Sequence, residues 1–191
     1  MSFICHPAAS TAGSSILDTA IKSRYDNVVK NIDLYRMVMQ PLTFTTDSRE
    51  ATMELGGRLA RRLTAGSIVC LFGELGTGKT TFVKGMAKGL KISPVKVHSP
   101  TFVLMNIYEG KLPLYHFDFY RLDEIREIEN IGYDEFFYGK GIAVVEWPQR
   151  MGNLLPAEYL QIELAIKSEN SRIIKMAAKG ERYRDVLARL N

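Results

Sequence analysis

The chain has 191 residues, of which 46% are hydrophobic, and a formal net charge of +4. That length favours one domain with a core of its own, and the composition excludes collagen-like, repeat and low-complexity classes. No apolar run approaches the roughly 20 residues that cross a bilayer, the start "MSFICHPAASTAGSS" lacks the basic and apolar regions of a secretory leader, and Cys5 and Cys70 make no metal-ligand pattern.

Residues 1–38 read as an amino-terminal extension. Within "ILDTAIKSRYDNVVKNIDLYRMV", Leu17, Ile21, Val28, Ile32 and Tyr35 recur at roughly helical spacing, which predicts one amphipathic helix. The alternatives are a poorly ordered segment, or translation that begins at Met37 or Met39. From residue 39 to 191 strands and helices alternate. "PLTFTT" predicts a short strand, and Asp47 with Glu50 a capping pair for a helix whose apolar stripe is Ala51, Leu55 and Leu59. "SIVCLF" is a continuous apolar strand of the kind buried in a parallel sheet, with Cys70 as a small buried apolar residue. A helix from about Lys79 to Leu90 follows, burying Phe82, Met86 and Leu90. "TFVLMNIY" and "LPLYHFDFY", separated by "EGK", predict a β-hairpin. A polar helical stretch spans Asp123 to Asn130, and "GIAVVEW" is a second buried strand. "YLQIELAIK" and "SRIIKMAAK" predict an antiparallel pair before a closing helix near Arg182 to Leu190. This order predicts an α/β fold, a three-layer sandwich with a mixed, mostly parallel sheet and helices on both faces.

Between the first buried strand and its helix stands "GELGTGKTT", residues 73–81, with the spacing of a Walker A loop. Its glycines let the backbone curl so that N–H groups point at phosphate oxygens, and the helix start adds its positive dipole end. Lys79 can bridge β- and γ-phosphates, and the Thr80 hydroxyl can hold Mg2+. Glu146 ends the apolar run of "IAVVEW" and fits the acid that assists the metal. In "HFDFYR", strand alternation sets His116, Asp118 and Tyr120 on one face and Phe117 and Phe119 on the other. Asp118 can orient a water or reach the metal through one, or simply pair with Arg121 or make a turn contact. "HSPTF" presents Thr101 either as a structural turn or as a switch threonine. The lack of an Asn/Thr-Lys-x-Asp stretch tilts the base towards adenine. "ELGGR", residues 54–58, hints at a transporter signature but precedes the loop it should follow. Basic clusters at Arg58, Arg61 and Arg62 and near the carboxyl end suit either RNA phosphates or a solvated helix face.

Together "GELGTGKTTFVKG", "SPTFVLMNIY", "YHFDFYRL", "IGYDEFF", "VVEWPQR" and "LLP" resemble the bacterial TsaE (YjeE-type) ATPases of tRNA threonylcarbamoyladenosine biosynthesis, from about Leu42 to Arg172. The resemblance implies a cytoplasmic P-loop ATPase that uses ATP and Mg2+ and is activated by the heterodimer of TsaB and TsaD. tRNA is then engaged indirectly, through those partners, and no membrane is involved. It implies nucleotide binding by Gly73, Glu74, Leu75, Gly76, Thr77, Gly78, Lys79, Thr80 and Thr81. Ser48, Arg49 and Arg172 are implied near the adenine. Thr80 and Glu146 become metal ligands, while Lys79, Asp118, Thr101 and Glu146 form the catalytic set. The main rival reading is a small-molecule or nucleotide kinase of the P-loop class, with Asp118 as base for an acceptor hydroxyl; a second is a nucleotide-binding switch with negligible turnover.

Overall fold

The computed structural model describes residues 22–24 and 41–190. The chain divides into two units, Met1–Val38 and Met39–Asn191. In the first, Lys22, Ser23 and Arg24 are helical, and Leu17, Ile21, Val28, Ile32 and Tyr35 of the predicted helix lie outside the described residues, as do Met37 and Met39.

The second unit holds one seven-stranded sheet: β1 (Leu42–Thr46), β2 (Ser67–Phe72), β3 (Met105–Tyr108), β4 (Leu114–Asp118), β5 (Ile142–Glu146), β6 (Tyr159–Ile166) and β7 (Arg172–Lys179). Their spatial order is β1-β7-β6-β2-β5-β4-β3. β6, β2, β5 and β4 are mutually parallel, while β7 and β3 run against their neighbours. β2 and β5 carry almost unbroken apolar runs because both their faces are covered.

Helices α1 (Arg49–Ala60), α2 (Lys79–Gly89) and α5 (Arg184–Ala188) share one apolar cluster with the sheet, built on Leu59, Phe82, Met86, Val69, Leu71, Val144 and Leu187. Alternate strand residues, Cys70, Val145 and Phe117, point the other way. They join Phe119, Ile128 of α3 (Ile125–Asn130), Phe137 of α4 (Tyr133–Phe137) and Met151. Burial pushes the Cys70 thiol far up, which leaves it an inert apolar residue. Among the described residues no helix is long and apolar enough to cross a membrane.

Two local expectations change, and two features left open gain a role. The cap of α1 is Ser48, whose hydroxyl accepts the Ala51 N–H at 3.1 Å, one residue beyond the expected Asp47–Glu50 pair. The first arm of the hairpin is shorter, because Thr101 to Leu104 form a turn before β3 begins. Gly56 and Gly57 of "ELGGR" are packing residues. A Cβ on Gly56 would lie 2.4 Å from the Phe82 carbonyl oxygen of α2, and one on Gly85 would lie 2.0 Å from that of Met53. Finally, Arg58 and Arg62 donate to the Leu190 and Arg189 carbonyl oxygens at 2.6 and 2.8 Å, so these cations tie down the last turn of α5.

Candidate nucleotide site

The loop that leaves β2 turns through left-handed backbone at Gly73, Gly76 and Gly78, with φ of 137°, 80° and 99°. Gly73 has a second constraint: a Cβ there would stand 2.4 Å from the Leu164 carbonyl oxygen of β6. Gly78 caps α2 without any side-chain bond, so the first N–H groups of that helix face the loop's hollow. Within the loop, the Thr77 hydroxyl donates to the Glu74 carbonyl at 2.8 Å. Arg172, at the start of β7, braces the loop from outside, donating from Nε to Thr77 O at 3.1 Å and from Nη2 to Gly76 O at 3.4 Å.

Lys79 is buried, at 5% exposure. Its Nζ donates to the carbonyls of Gly73 and Glu74 at 2.6 and 2.9 Å and lies 4.0 Å from the centroid of the Trp147 ring. Burial lowers the pKa of this ammonium, against the opposing pull of Glu146, Asp118 and Glu74.

Two acids meet this cation from adjacent strands. The parallel register of β4 and β5 sets Asp118 beside Glu146, both buried. Oε1 of Glu146 takes the Thr80 hydroxyl at 2.8 Å and stands 2.9 Å from Nε2 of His116. Oδ1 of Asp118 accepts the Tyr120 N–H at 3.0 Å, and Oδ2 accepts the Thr101 hydroxyl at 2.7 Å together with that of Ser99. Arg121 is not the partner of Asp118; its guanidinium stacks 4.0 Å over the Phe102 ring. Beside each acid the backbone is strained. Leu104, whose carbonyl accepts the Asp118 N–H at 3.1 Å, and Trp147, which follows Glu146, have φ of 65° and 61°. The Trp147 ring also packs on Tyr120, 4.8 Å between centroids.

A cavity of about 380 Å³ opens here, lined by Leu75, Gly76, Gly78, Lys79, Thr80, Thr81, Thr101, Asp118 and Glu146 among others. A second, of about 200 Å³, continues past Gly76, Gly78 and Thr81 to Ser48, Arg49 and Arg172. The sequence-predicted residues therefore converge on two joined hollows, except Gly73, Glu74 and Thr77, which build the loop itself. Ser99, Tyr120 and Trp147 also line the first hollow, and Glu169 and Asn170 the second. Sequence reasoning gave Ser99, Glu169 and Asn170 no role. Ser99 stands two places from Thr101 and could have been weighed with it, whereas Glu169 and Asn170 carry no pattern of their own.

Chemically, the arrangement suits a phosphorylated anion and a hard cation. No group of three or more His, Cys, Asp or Glu among the described residues could hold a metal unaided. One hydroxyl and one carboxylate side by side suit Mg2+, which keeps waters and takes its remaining oxygens from a substrate's phosphates.

Comparisons with known proteins bear on the family and the fold. The sequence model of the family described as "Threonylcarbamoyl adenosine biosynthesis protein TsaE" matches residues 46–174. A Bacillus subtilis protein named tRNA threonylcarbamoyladenosine biosynthesis protein TsaE is 41% identical over 146 residues, 76% of this chain and 90% of its own length. A Treponema pallidum protein of the same name is 42% identical over 130 residues, 68% of this chain and 96% of that one. The crystal structure of Bacillus subtilis YdiB superposes with a TM-score of 0.69 at 36% identity, covering 79% of this chain and 94% of YdiB.

Proposed function

The chain belongs to the TsaE family, and from that membership we propose that it is the Mg2+-dependent, ATP-binding and ATP-hydrolysing subunit required to make N6-threonylcarbamoyladenosine in tRNA, activated by TsaB and TsaD. One observation carries the proposal. Lys79, the Thr80–Glu146 pair and Asp118 converge on a single hollow at the mouth of a Walker A loop.

In this reading the N–H groups of residues 75–80 and the start of α2 grip the phosphates. Lys79 exchanges the Gly73 and Glu74 carbonyls for phosphate oxygens, a trade of neutral for charged partners. Thr80 and Glu146 hold Mg2+, which supplies positive charge against the phosphates. Ser48, Arg49 and Arg172 flank the second hollow, where the adenosine end lies. Asp118 orients the attacking water and accepts its proton as the water oxygen bonds to the γ-phosphorus and the bond to ADP breaks. Trp147 and Tyr120 limit the water that enters.

Strand pairing sets the Asp118 backbone beside that of Glu146, so in this reading docking acts on the neighbouring loop and not on the strand. The gate is the loop bearing Ser99 and Thr101, whose hydroxyls occupy Oδ2 of Asp118. Docking of TsaB and TsaD turns these hydroxyls away, Thr101 towards the γ-phosphate and metal, and frees Oδ2 for the water. tRNA meets the partners rather than this chain, in keeping with the use of Arg58 and Arg62 as internal ties. The test is steady-state ADP release by the protein alone and with the TsaB–TsaD heterodimer. The expected result is a rate raised at least tenfold by the heterodimer, since a positioned general base contributes about 10²–10⁴-fold. Equal rates would refute partner activation. Stimulation by a metabolite instead of the heterodimer would return the reading to a P-loop kinase.

A further inference from the structure

His116 lies in β4, two residues before Asp118, and is fully buried. The register with β5 places it opposite Val144, from where Nε2 reaches along the neighbouring strand to Oε1 of Glu146 at 2.9 Å. A carboxylate only accepts, so Nε2 carries the hydrogen of this bond. The other ring nitrogen, Nδ1, is the sole buried side-chain nitrogen or oxygen without a hydrogen-bond partner among the described residues. Burying such a nitrogen unpaired is unfavourable. A histidine serving the fold alone gains little at this position over an apolar residue of similar size, and the single polar contact it makes is to Glu146.

Thr80 approaches the same oxygen from α2, donating at 2.8 Å. Two donors from two elements thus converge on one oxygen atom of a carboxylate that lines the large hollow. The donors differ in what else they can do. A hydroxyl has one hydrogen and two lone pairs, so Thr80 can keep its bond to Oε1 while offering a lone pair to a cation. The His116 N–H has no second use. We propose that His116 is a positioning residue that holds the Glu146 carboxylate in the orientation in which it receives Mg2+ together with Thr80. The proposal rests on the Mg·ATP reading above. It extends that reading to a group that touches neither nucleotide nor metal, as outer partners of metal ligands commonly do.

The test is calorimetric titration of the full chain with a non-hydrolysable ATP analogue, once in EDTA and once in saturating Mg2+. The readout is the ratio of the two Kd values, the gain in affinity that Mg2+ confers. His116→Leu should lower that gain by about tenfold or more, the range found when an outer partner of a metal ligand is lost. Its Kd in EDTA should stay within about twofold of the wild type, because the loop that grips the phosphates is untouched. His116→Gln, whose amide N–H extends to about the place of Nε2, should recover most of the gain. Should His116→Leu fail to fold, His116→Asn, too short to reach Oε1, takes its place with the same expectation. An unchanged gain in His116→Leu overturns the proposal while leaving the Mg·ATP reading intact. Loss of affinity in EDTA to the same extent, or no recovery by His116→Gln, also overturns it. A wild-type protein whose affinity does not respond to Mg2+ overturns both.

Discussion

Replacing Gly85 with alanine tests whether the crossing of α1 and α2 is fixed by backbone contact. The added Cβ would lie 2.0 Å from the Met53 carbonyl oxygen and 2.6 Å from its Cα, so the helices must part by about 1.4 Å to reach an ordinary 3.4 Å contact. The obstacle is main chain and cannot rotate away, which puts the overpacking penalty near the upper end of about 1–3 kcal/mol. Alanine's better helix propensity returns about 1 kcal/mol. The net loss is about 2 kcal/mol, a fall in Tm of about 4–8 °C for a folded unit of this size. Gly57→Ala is the internal comparison, because its Cβ would meet Gly85 O at 3.1 Å, where a few tenths of an ångström suffice. There the two terms nearly cancel, and Tm should stay within about 2 °C. Function should follow the same order. The start of α1 carries Ser48 and Arg49 to the second hollow and the start of α2 carries the glycine-rich loop, so parting the helices widens the hollows between them. Thermal unfolding and calorimetric ADP affinity on the two variants settle the matter. A Gly85→Ala protein as stable as the wild type, or more stable than Gly57→Ala, would refute the reasoning.

Three further outcomes are expected. Asp118→Asn should leave ATP affinity within about threefold while lowering the heterodimer-stimulated rate by about 10²–10⁴-fold, read as ADP release per minute. Nucleotide affinity should decline as pH rises through the lowered pKa of Lys79. Phosphate oxygens favour the ammonium, so binding draws that pKa back up and is strongest where the free protein already holds the proton; Kd values between pH 7 and 10 test this, and a flat profile would count against it. Ser48→Ala removes the hydroxyl that caps α1 and should cost about 1 kcal/mol of stability in urea unfolding.

The parts of the fold that depend on local sequence were readable beforehand. β2 and β5 announce themselves by apolar runs, and α2 by the spacing of Phe82, Met86 and Leu90 behind the glycine loop. Glu146 and Asp118 were legible as candidates because each closes an apolar or alternating strand. What escaped depends on pieces distant in the chain coming together. The His116–Glu146 bond exists only once β4 and β5 pair in one particular register. The glycines of "ELGGR" acquire meaning only against Met86 and Phe82 of another helix. Likewise, Arg58 and Arg62 look like surface charge until the carboxyl-terminal turn arrives beside them. The cap moved from Asp47 to Ser48 because β1 runs to Thr46 and leaves Asp47 in the link, a one-residue matter that letters do not resolve.

Trp147 is the chain's only tryptophan, and its ring touches both the Lys79 ammonium and the Tyr120 ring. An anion that draws the ammonium off the indole face changes the electric field at the fluorophore, and a shift of Tyr120 changes its quenching. If the chain hydrolyses ATP as proposed, each turnover carries its own optical signal, and stopped-flow emission from unlabelled protein would separate the arrival of nucleotide from its cleavage and from the release of ADP.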